Sequence, residues 1–430
     1  MKPEIKERIE AINRGEIPRG YKRTRAGIIP SDWEVKRIGE ISNIFRGASP
    51  RPINDPKWFD ESSSIGWVRI SDVTKSTKIL RETEQYLSRD GISKSRFVEK
   101  GNIIMSICAT VGKPIITGFD VCIHDGFVVF ENPKVNKDFL FYYLLKLEDT
   151  WAKYGQTGSQ MNLNTDIVGN EFISLPNAEN EQQKIADILS TWDKAIELKE
   201  KLIEQKKEQK KGLMQRLLTG KVRLPGFKGE WKEVRLGSIG SAYNGLTGKN
   251  KEDFGSGKPY IPYKNVFNGS RINIDQLEYV QISETENQNK VKYGDIIFTA
   301  SSETPEEVGM SSVLLDHVDE LYLNSFCFGY RLNDFNTLIP EFAQYLFRGN
   351  VFRKELLKLA QGSTRFNLSK NEVLKIKIKI PGLEEQKKIA FVLTIFDREI
   401  DLLEQELEAL KQQKKGLMQL LLTGKVRVKC

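Results

Sequence analysis

Residues that commonly carry chemistry are sparse in this chain and poorly spaced for it. A phosphate-cradling loop needs Gly-x-x-x-x-Gly-Lys followed by Ser or Thr, because backbone N–H groups hold the phosphates and the hydroxyl meets magnesium. The Gly-Lys pairs at Gly112, Gly220, Gly248, Gly257 and Gly424 are followed by Pro, Val, Asn, Pro and Val, so none forms an ATP loop. Nuclease-like Glu-x-Lys triplets include Glu34-Val35-Lys36, Glu197-Leu198-Lys199 and Glu208-Gln209-Lys210, and none has a well-placed partner aspartate. The two histidines, His124 and His317, stand alone. The four cysteines, Cys108, Cys122, Cys327 and Cys430, make no CxxC pair. That argues against a structural zinc site and fits a reducing cytosol. These residues suit a protein that binds rather than one that catalyses.

Bulk properties bound the rest. A length of 430 residues allows two to four domains. Apolar content of 39% and charged content of 29% are ordinary for a folded, water-exposed chain. The net charge of +8 permits a nucleic-acid partner without establishing one. No apolar run is long enough to span a bilayer. The opening Met1-Lys2-Pro3-Glu4-Ile5-Lys6 has no hydrophobic stretch behind its charges, as a signal peptide would.

The elements that must position any binding residues are duplicated. Lys210–Arg223 and Lys414–Arg427 differ at one position only, and 26 of the 43 positions from Glu181 to Arg223 recur at a constant offset of 204. Weaker matches precede them: Trp33…Arg37-Ile38-Gly39 with Trp231…Arg235-Leu236-Gly237, and Gly101-Asn102-Ile103-Ile104 with Gly294-Asp295-Ile296-Ile297. A period near 200 residues is too long for a solenoid, so the chain is a duplicated two-part unit. The repeated block reads as a long helix. In the second copy Ile389, Leu393, Phe396, Ile400, Leu403, Leu407, Leu410, Lys414, Leu417 and Leu421 alternate at spacings of four and three, a coiled-coil seam. The first copy keeps the frame but places Lys199, Lys206 and Lys210 on the seam, where they should loosen the packing or face a gap. Gly220 and Gly424 stand where a helix C-terminus favours glycine. A helix over about 181–218 would be roughly 57 Å long. The blocks before the helices, about 25–180 and 224–380, read as mixed α/β. Their strands include Asn102–Ile107, Pro114–Thr117, Phe127–Phe130 and the strictly alternating Ile376–Ile380. Short helices are expected at Glu4–Asn13, Phe139–Leu147 and Phe342–Phe347.

Read together, these phrases resemble the specificity subunits of type I restriction–modification enzymes. Tyr21-Lys22-Arg23-Thr24 through Pro30-Ser31-Asp32-Trp33-Glu34-Val35 opens the first block. Leu175-Pro176…Glu181-Gln182-Gln183-Lys184-Ile185-Ala186 and Ile380-Pro381…Glu385-Gln386-Lys387-Lys388-Ile389-Ala390 close the two blocks, and Leu-Leu-Thr-Gly-Lys-Val-Arg ends both helices. The resemblance covers essentially the whole chain. It implies an α+β fold of two target-recognition domains in tandem, separated and followed by long helices that pair as an antiparallel coiled coil with pseudo-two-fold symmetry. The expected segments are a lead segment 1–24, a first recognition domain 25–180, a first spacer helix 181–223, a second recognition domain 224–380, and a second spacer helix with tail 381–430. It further implies that each domain reads one half of a bipartite, asymmetric double-stranded DNA site, and that two modification subunits dock on the helices. Restriction subunits would join them, in the cytoplasm and away from any membrane. S-adenosylmethionine, ATP and magnesium belong on those partners, with no cofactor or metal on this chain. The Asn/Asp-Pro-Pro-aromatic motif of the methyltransferase partners is missing here. A competing reading is a coiled-coil scaffold whose end domains bind proteins.

A DNA reader needs Arg, Lys, Asn, Gln and Ser on loops, for phosphates and base edges. In the first domain the candidates are Arg46, Arg51, Arg69, Lys113 and the loop residues Ser159, Gln160 and Asn162. In the second they are Lys249, Lys251, Lys264, Asn265, Ser301, Ser302, Arg365 and Asn367. The loop Gly158-Ser159-Gln160-Met161-Asn162-Leu163 recurs as Ser363-Thr364-Arg365-Phe366-Asn367-Leu368 before the closing strand. Asn162 and Asn367 are the members suited to holding a turn.

Overall fold

The structure, a computed structural model, describes residues 2–154, 163–362 and 364–429. The chain divides into two compact units, Met1–Lys199 with Glu406–Cys430, and Glu200–Gln405. Each therefore combines one α/β block with segments of both long helices.

In the first unit, the strand that opens the block pairs with the strand that closes it. Trp33–Arg37 lies antiparallel to Phe172–Pro176, with Val35 opposite Ser174. The interior holds a five-stranded sheet ordered Asn43–Arg46, Phe127–Glu131, Ile103–Ser106, Pro114–Thr117 and Ile79–Leu80. A four-stranded sheet is built on Gly66–Val68 and Val121–Ile123. The helix Lys137–Leu147 is apolar nearly all round. It is buried accordingly, together with Trp33, Ile103, Ile185, Leu189, Met418 and Leu421. The lead helix Pro3–Asn13 and the hairpin Tyr21–Thr24/Gly27–Pro30 also belong to this unit.

The second unit repeats the plan. Lys232–Arg235 pairs antiparallel with Lys377–Ile380, which buries only Ile378 and Ile380, as its alternation requires. A four-stranded sheet runs Gly240–Asn244, Cys327–Leu332, Ile296–Thr299, Ser311–Val313, and the helix Pro340–Leu346 covers it.

The long helices are Glu179–Leu217 and Leu383–Leu421. Gly220 and Gly424 follow them, both at φ +67°, the left-handed conformation that ends a helix without a Cβ penalty. Their lysines meet carboxylates, while Lys210 also borders open space beside Met214 and Ile400. In the first unit Lys199 pairs with Glu406 at 2.7 Å and Lys414 with Asp193. In the second, Lys206 pairs with Glu399 at 2.6 Å, Lys207 with Glu404 at 2.7 Å and Lys210 with Asp397. Carboxylates from the other copy meet these charges. Each conserved pair is also tied to its block. The Tyr142 hydroxyl donates to Asp193 at 2.5 Å and the Tyr345 hydroxyl to Asp397 at 2.6 Å.

The repeated Glu-Gln phrase has a physical cause as well. Glu181 receives two charge-assisted bonds from Arg427, at 2.6 and 2.8 Å, and Glu385 receives two from Arg223, both 2.6 Å. Gln182 donates to the Pro176 carbonyl and accepts from Asn136 N–H. Gln386 donates to the Pro381 and Thr337 carbonyls and accepts from Ile339 N–H. One residue thus fastens the closing strand, the preceding loop and the helix start. No helix among the described residues is long and apolar enough to cross a membrane.

Candidate nucleic-acid interface

In both units the strand after the opening helical turn runs into a glycine that crosses a tight turn. A Cβ on Gly47 would lie 2.0 Å from the His124 carbonyl oxygen, and one on Gly245 2.1 Å from that of Asn324. Only glycine permits this approach. The turn then supplies a backbone acceptor to a neighbouring loop: Ile107 N–H donates to Gly126 O, and Ala300 N–H to Phe326 O, each at 2.8 Å. The loop before the closing helix docks on the same register. Leu163 N–H donates to Ile107 O and Leu368 N–H to Ala300 O, each at 2.9 Å. Three loops therefore meet at one place in each block.

The side chains at the two places differ. In the first unit the hub is Asp125, which lies in the turn. Ser49 Oγ donates to it at 2.7 Å, Arg51 at 3.2 Å, and Arg46 Nε donates to its carbonyl at 2.7 Å. The Ser49 bond, with Arg51 and His124 adding smaller effects, holds the Asp125 carboxyl below its ordinary range. Arg46 and Arg51 are exposed. The Arg96 guanidinium lies 5.0 Å over the half-exposed Phe45 ring and donates to the Arg46 carbonyl at 3.1 Å. Arg69 is engaged elsewhere, with Gln85 at 2.6 and 3.0 Å, and Lys113 reaches the Thr74 carbonyl at 3.1 Å. Ser159, Gln160 and Asn162 lie outside the described residues.

In the second unit the place is aromatic. Phe326, 50% exposed, sits under the Arg365 guanidinium at 5.3 Å. Ser301 and Ser302 pair with Asn367 and Phe366 in a short antiparallel bridge. Arg365 and Asn367 are exposed, and the Asn367 amide donates to the Arg365 carbonyl at 3.3 Å, holding the turn. Ser301 and Ser302 are buried, and Ser302 Oγ bonds Glu307 at 3.3 Å. Lys264 and Lys251 are exposed on neighbouring segments.

Two candidates are corrected. Asn265 is 4% exposed; its amide donates to the Asn273 and Gln276 carbonyls and its oxygen accepts from Asn273 N–H, so it is buried and both its amide hydrogens are used within the fold. The Lys249 side chain is 7% exposed and pairs with Glu286 at 2.7 Å; that bond holds the Glu286 carboxyl down at about 2. Ser49, Asp125, Phe326 and the Phe45–Arg96 pair were missed by sequence reasoning. Their signal was the glycine that follows Asn43–Arg46 and Gly240–Asn244, in Arg46-Gly47 and Asn244-Gly245. The two histidines have structural contacts: His124 Nδ1 accepts from Gly126 N–H at 2.9 Å, and His317 stacks on Tyr293 at 4.8 Å.

The arrangement presents cationic, polar and aromatic groups on paired loop clusters, and comparison with known proteins gives it a family. The type I restriction modification DNA specificity domain matches residues 30–207 and again 228–412. The type I restriction enzyme MjaVIII specificity subunit of Methanocaldococcus jannaschii is 29% identical over 421 residues, covering 93% of this chain and 94% of its own. The putative type I restriction enzyme MjaX specificity subunit of the same organism is 28% identical over 447 residues, covering 95% and 97%. Among solved structures, a chain from a study of complex assembly and conformational transition of the type I R-M system aligns with TM-score 0.62 at 18% identity, covering 93% of this chain and 99% of that one. The S subunit of the type I system of M. genitalium aligns with TM-score 0.51 at 15% identity, covering 93% and 96%. With the family domain matched twice along one duplicated α+β scaffold, this chain belongs to the type I restriction–modification specificity subunits.

Proposed function

We propose that the chain is the DNA-reading component of a type I complex, each block reading one half of a bipartite, asymmetric site. The observation that carries this reading is the pair of loop clusters. Their backbone bonds are equivalent, but one is built on Asp125, Arg46 and Arg51 and the other on Phe326 and Arg365. One scaffold with two different side-chain sets suits two different half-sites.

The helices are the spacer in this reading, paired antiparallel as a coiled coil with pseudo-two-fold symmetry. Support comes from the ion pairs, in which partner numbers fall as residue numbers rise, from Asp193–Lys414 to Lys199–Glu406 and from Lys206–Glu399 to Lys210–Asp397. Modification subunits dock on the helical region. Phe391, Ile395 and Leu402 are 60%, 47% and 59% exposed at helical spacing, an apolar stripe suited to a partner's surface. S-adenosylmethionine, ATP and magnesium act on those partners and on restriction subunits, in the cytoplasm, and this chain carries no catalytic site.

The test is duplex binding by the purified chain against salt, with turnover assayed in parallel. Affinity should fall steeply and linearly on a log–log plot as phosphate contacts release counterions. No cleavage or methylation should appear with S-adenosylmethionine, ATP and magnesium. Salt-independent binding, or turnover abolished by a point change in this chain, would overturn the reading.

A further inference from the structure

The two units end their long helices with the same residues, yet only one of these ends is covered. In the first unit the lead segment lies on it. Arg8 donates to the Lys425 carbonyl at 3.0 and 3.2 Å, and the Tyr21 hydroxyl donates to the Gly424 carbonyl at 2.8 Å. A Cβ on Gly424 would meet Pro30 at 2.4 Å. Gly424 is buried, and Lys425 and Val426 are half-buried. Beside it Ser174 is fully buried, bonded to the Tyr143 hydroxyl at 3.1 Å and the Leu422 carbonyl at 3.3 Å.

In the second unit every one of these partners is missing. Among the described residues, no side chain donates to the Gly220 or Lys221 carbonyl. A Cβ on Gly220 would meet the Trp231 ring first, at 3.3 Å. Lys221 is exposed, and Val222 is 45% exposed. Where Ser174 and Tyr143 fill the first unit, Lys379 and Leu346 stand here, beside an open cavity of about 730 Å³. Its floor is apolar, with Leu218, Trp231, Leu346, Phe352 and Ile378. Val351, 58% exposed, stands at its edge. Lys221, Lys354 and Lys379 line it; Lys379 stands opposite Glu233 across the closing strand pair, and among the described residues none of the three lysines makes a side-chain hydrogen bond.

We infer that this cavity is a docking seat for an acidic amphipathic helix of a partner protein. Such a helix would lay aliphatic side chains on the Trp231–Phe352 floor and carboxylates against Lys221, Lys354 and Lys379. It would also offer donors to the Gly220 and Lys221 carbonyls, as Arg8 and Tyr21 do in the first unit. Charge complementarity selects this occupant. The lead segment of a second copy is the wrong sign, with eight basic against four acidic side chains in residues 2–25. Nucleic acid fits less well: its phosphates would meet the cationic side chains but leave Leu218, Trp231, Leu346, Phe352 and Ile378 uncovered. The inference is independent of the DNA-reading assignment.

The probe is a fluorescein-labelled peptide of residues 2–25 that keeps Arg8 and Tyr21 but carries K6E, R14E, K22E, R23E and R25E. Its binding to the full chain is followed by anisotropy. The acidic peptide should bind at least about tenfold more tightly than the unaltered 2–25 peptide. The triple change Lys221→Glu, Lys354→Glu and Lys379→Gln should remove that advantage; all three side chains are exposed, and a neutral residue opposite Glu233 sets no like charges against each other. Equal binding of both peptides, no binding of the acidic one, an unchanged affinity in the triple variant, or displacement by a DNA duplex would each overturn the proposal. DNA binding by the same variant, measured alongside, should be unaltered, which separates failure here from failure of the DNA-reading assignment.

Discussion

Arg365 and Arg427 show what a single guanidinium can do in two settings. Arg365 is exposed, its guanidinium lies over the Phe326 face, and among the described residues it donates no side-chain hydrogen bond, which leaves donors for a guanine edge or a phosphate. Arg365→Ala should weaken binding to the specific duplex by about 1–3 kcal/mol if it reads a guanine. Competition binding against random duplex checks this, and unchanged affinity and preference would remove the residue from the interface. Arg427 instead clamps Glu181, whose side chain is 5% exposed, and also reaches Asp32 at 2.8 Å. Arg427→Ala strands a buried carboxylate and should cost about 2–3 kcal/mol in urea unfolding. Arg427→Lys should recover only part of this, since an ammonium cannot make the two-pronged bond. The sequence made Arg365 legible because its loop recurs in both blocks. Asp125 was not legible. Its partners Ser49 and Arg51 lie 76 and 74 residues away, and no local pattern marks a carboxylate as a hub.

At the scale of elements, the long helices and the alternating strand Lys377–Ile380 follow directly from period and alternation. The ion partners of the seam lysines were not legible because they lie in the other copy: Lys206 meets Glu399 and Lys210 meets Asp397, residues about 190 positions distant. A helix read alone shows a polar break, whereas the pair of helices shows a charge match. This bears on the spacer role. Inserting one heptad into each helix at corresponding positions keeps the apolar face in register. It lengthens each helix by roughly 10.5 Å. With a rise of about 3.4 Å per base pair along each strand, the gap between half-sites should grow by about three base pairs. Both half-site sequences should be unchanged, although the new groove angle lowers activity. Methylation at sites with the original gap and at full efficiency would end the spacer role.

The whole molecule is a duplication in which backbone and helix anchors are held constant while the loop side chains diverge. The family and the tandem α+β plan were readable because anchors such as Glu181-Gln182 and Glu385-Gln386 carry the fold. The base-contacting set was not readable, because sequence alone cannot tell an exposed loop lysine from one like Lys249, closed beneath Glu286. The claim that rests on this organisation is that each block reads its own half of the site. It is tested by mapping methylated adenines in a host that supplies the modification subunits, first with this chain and then with residues 25–175 exchanged for the first block of another family member. The account expects a two-part asymmetric site with a fixed gap, and after the exchange one new half beside one unchanged half at the same gap. A single undivided site, or a change in both halves together, would contradict it.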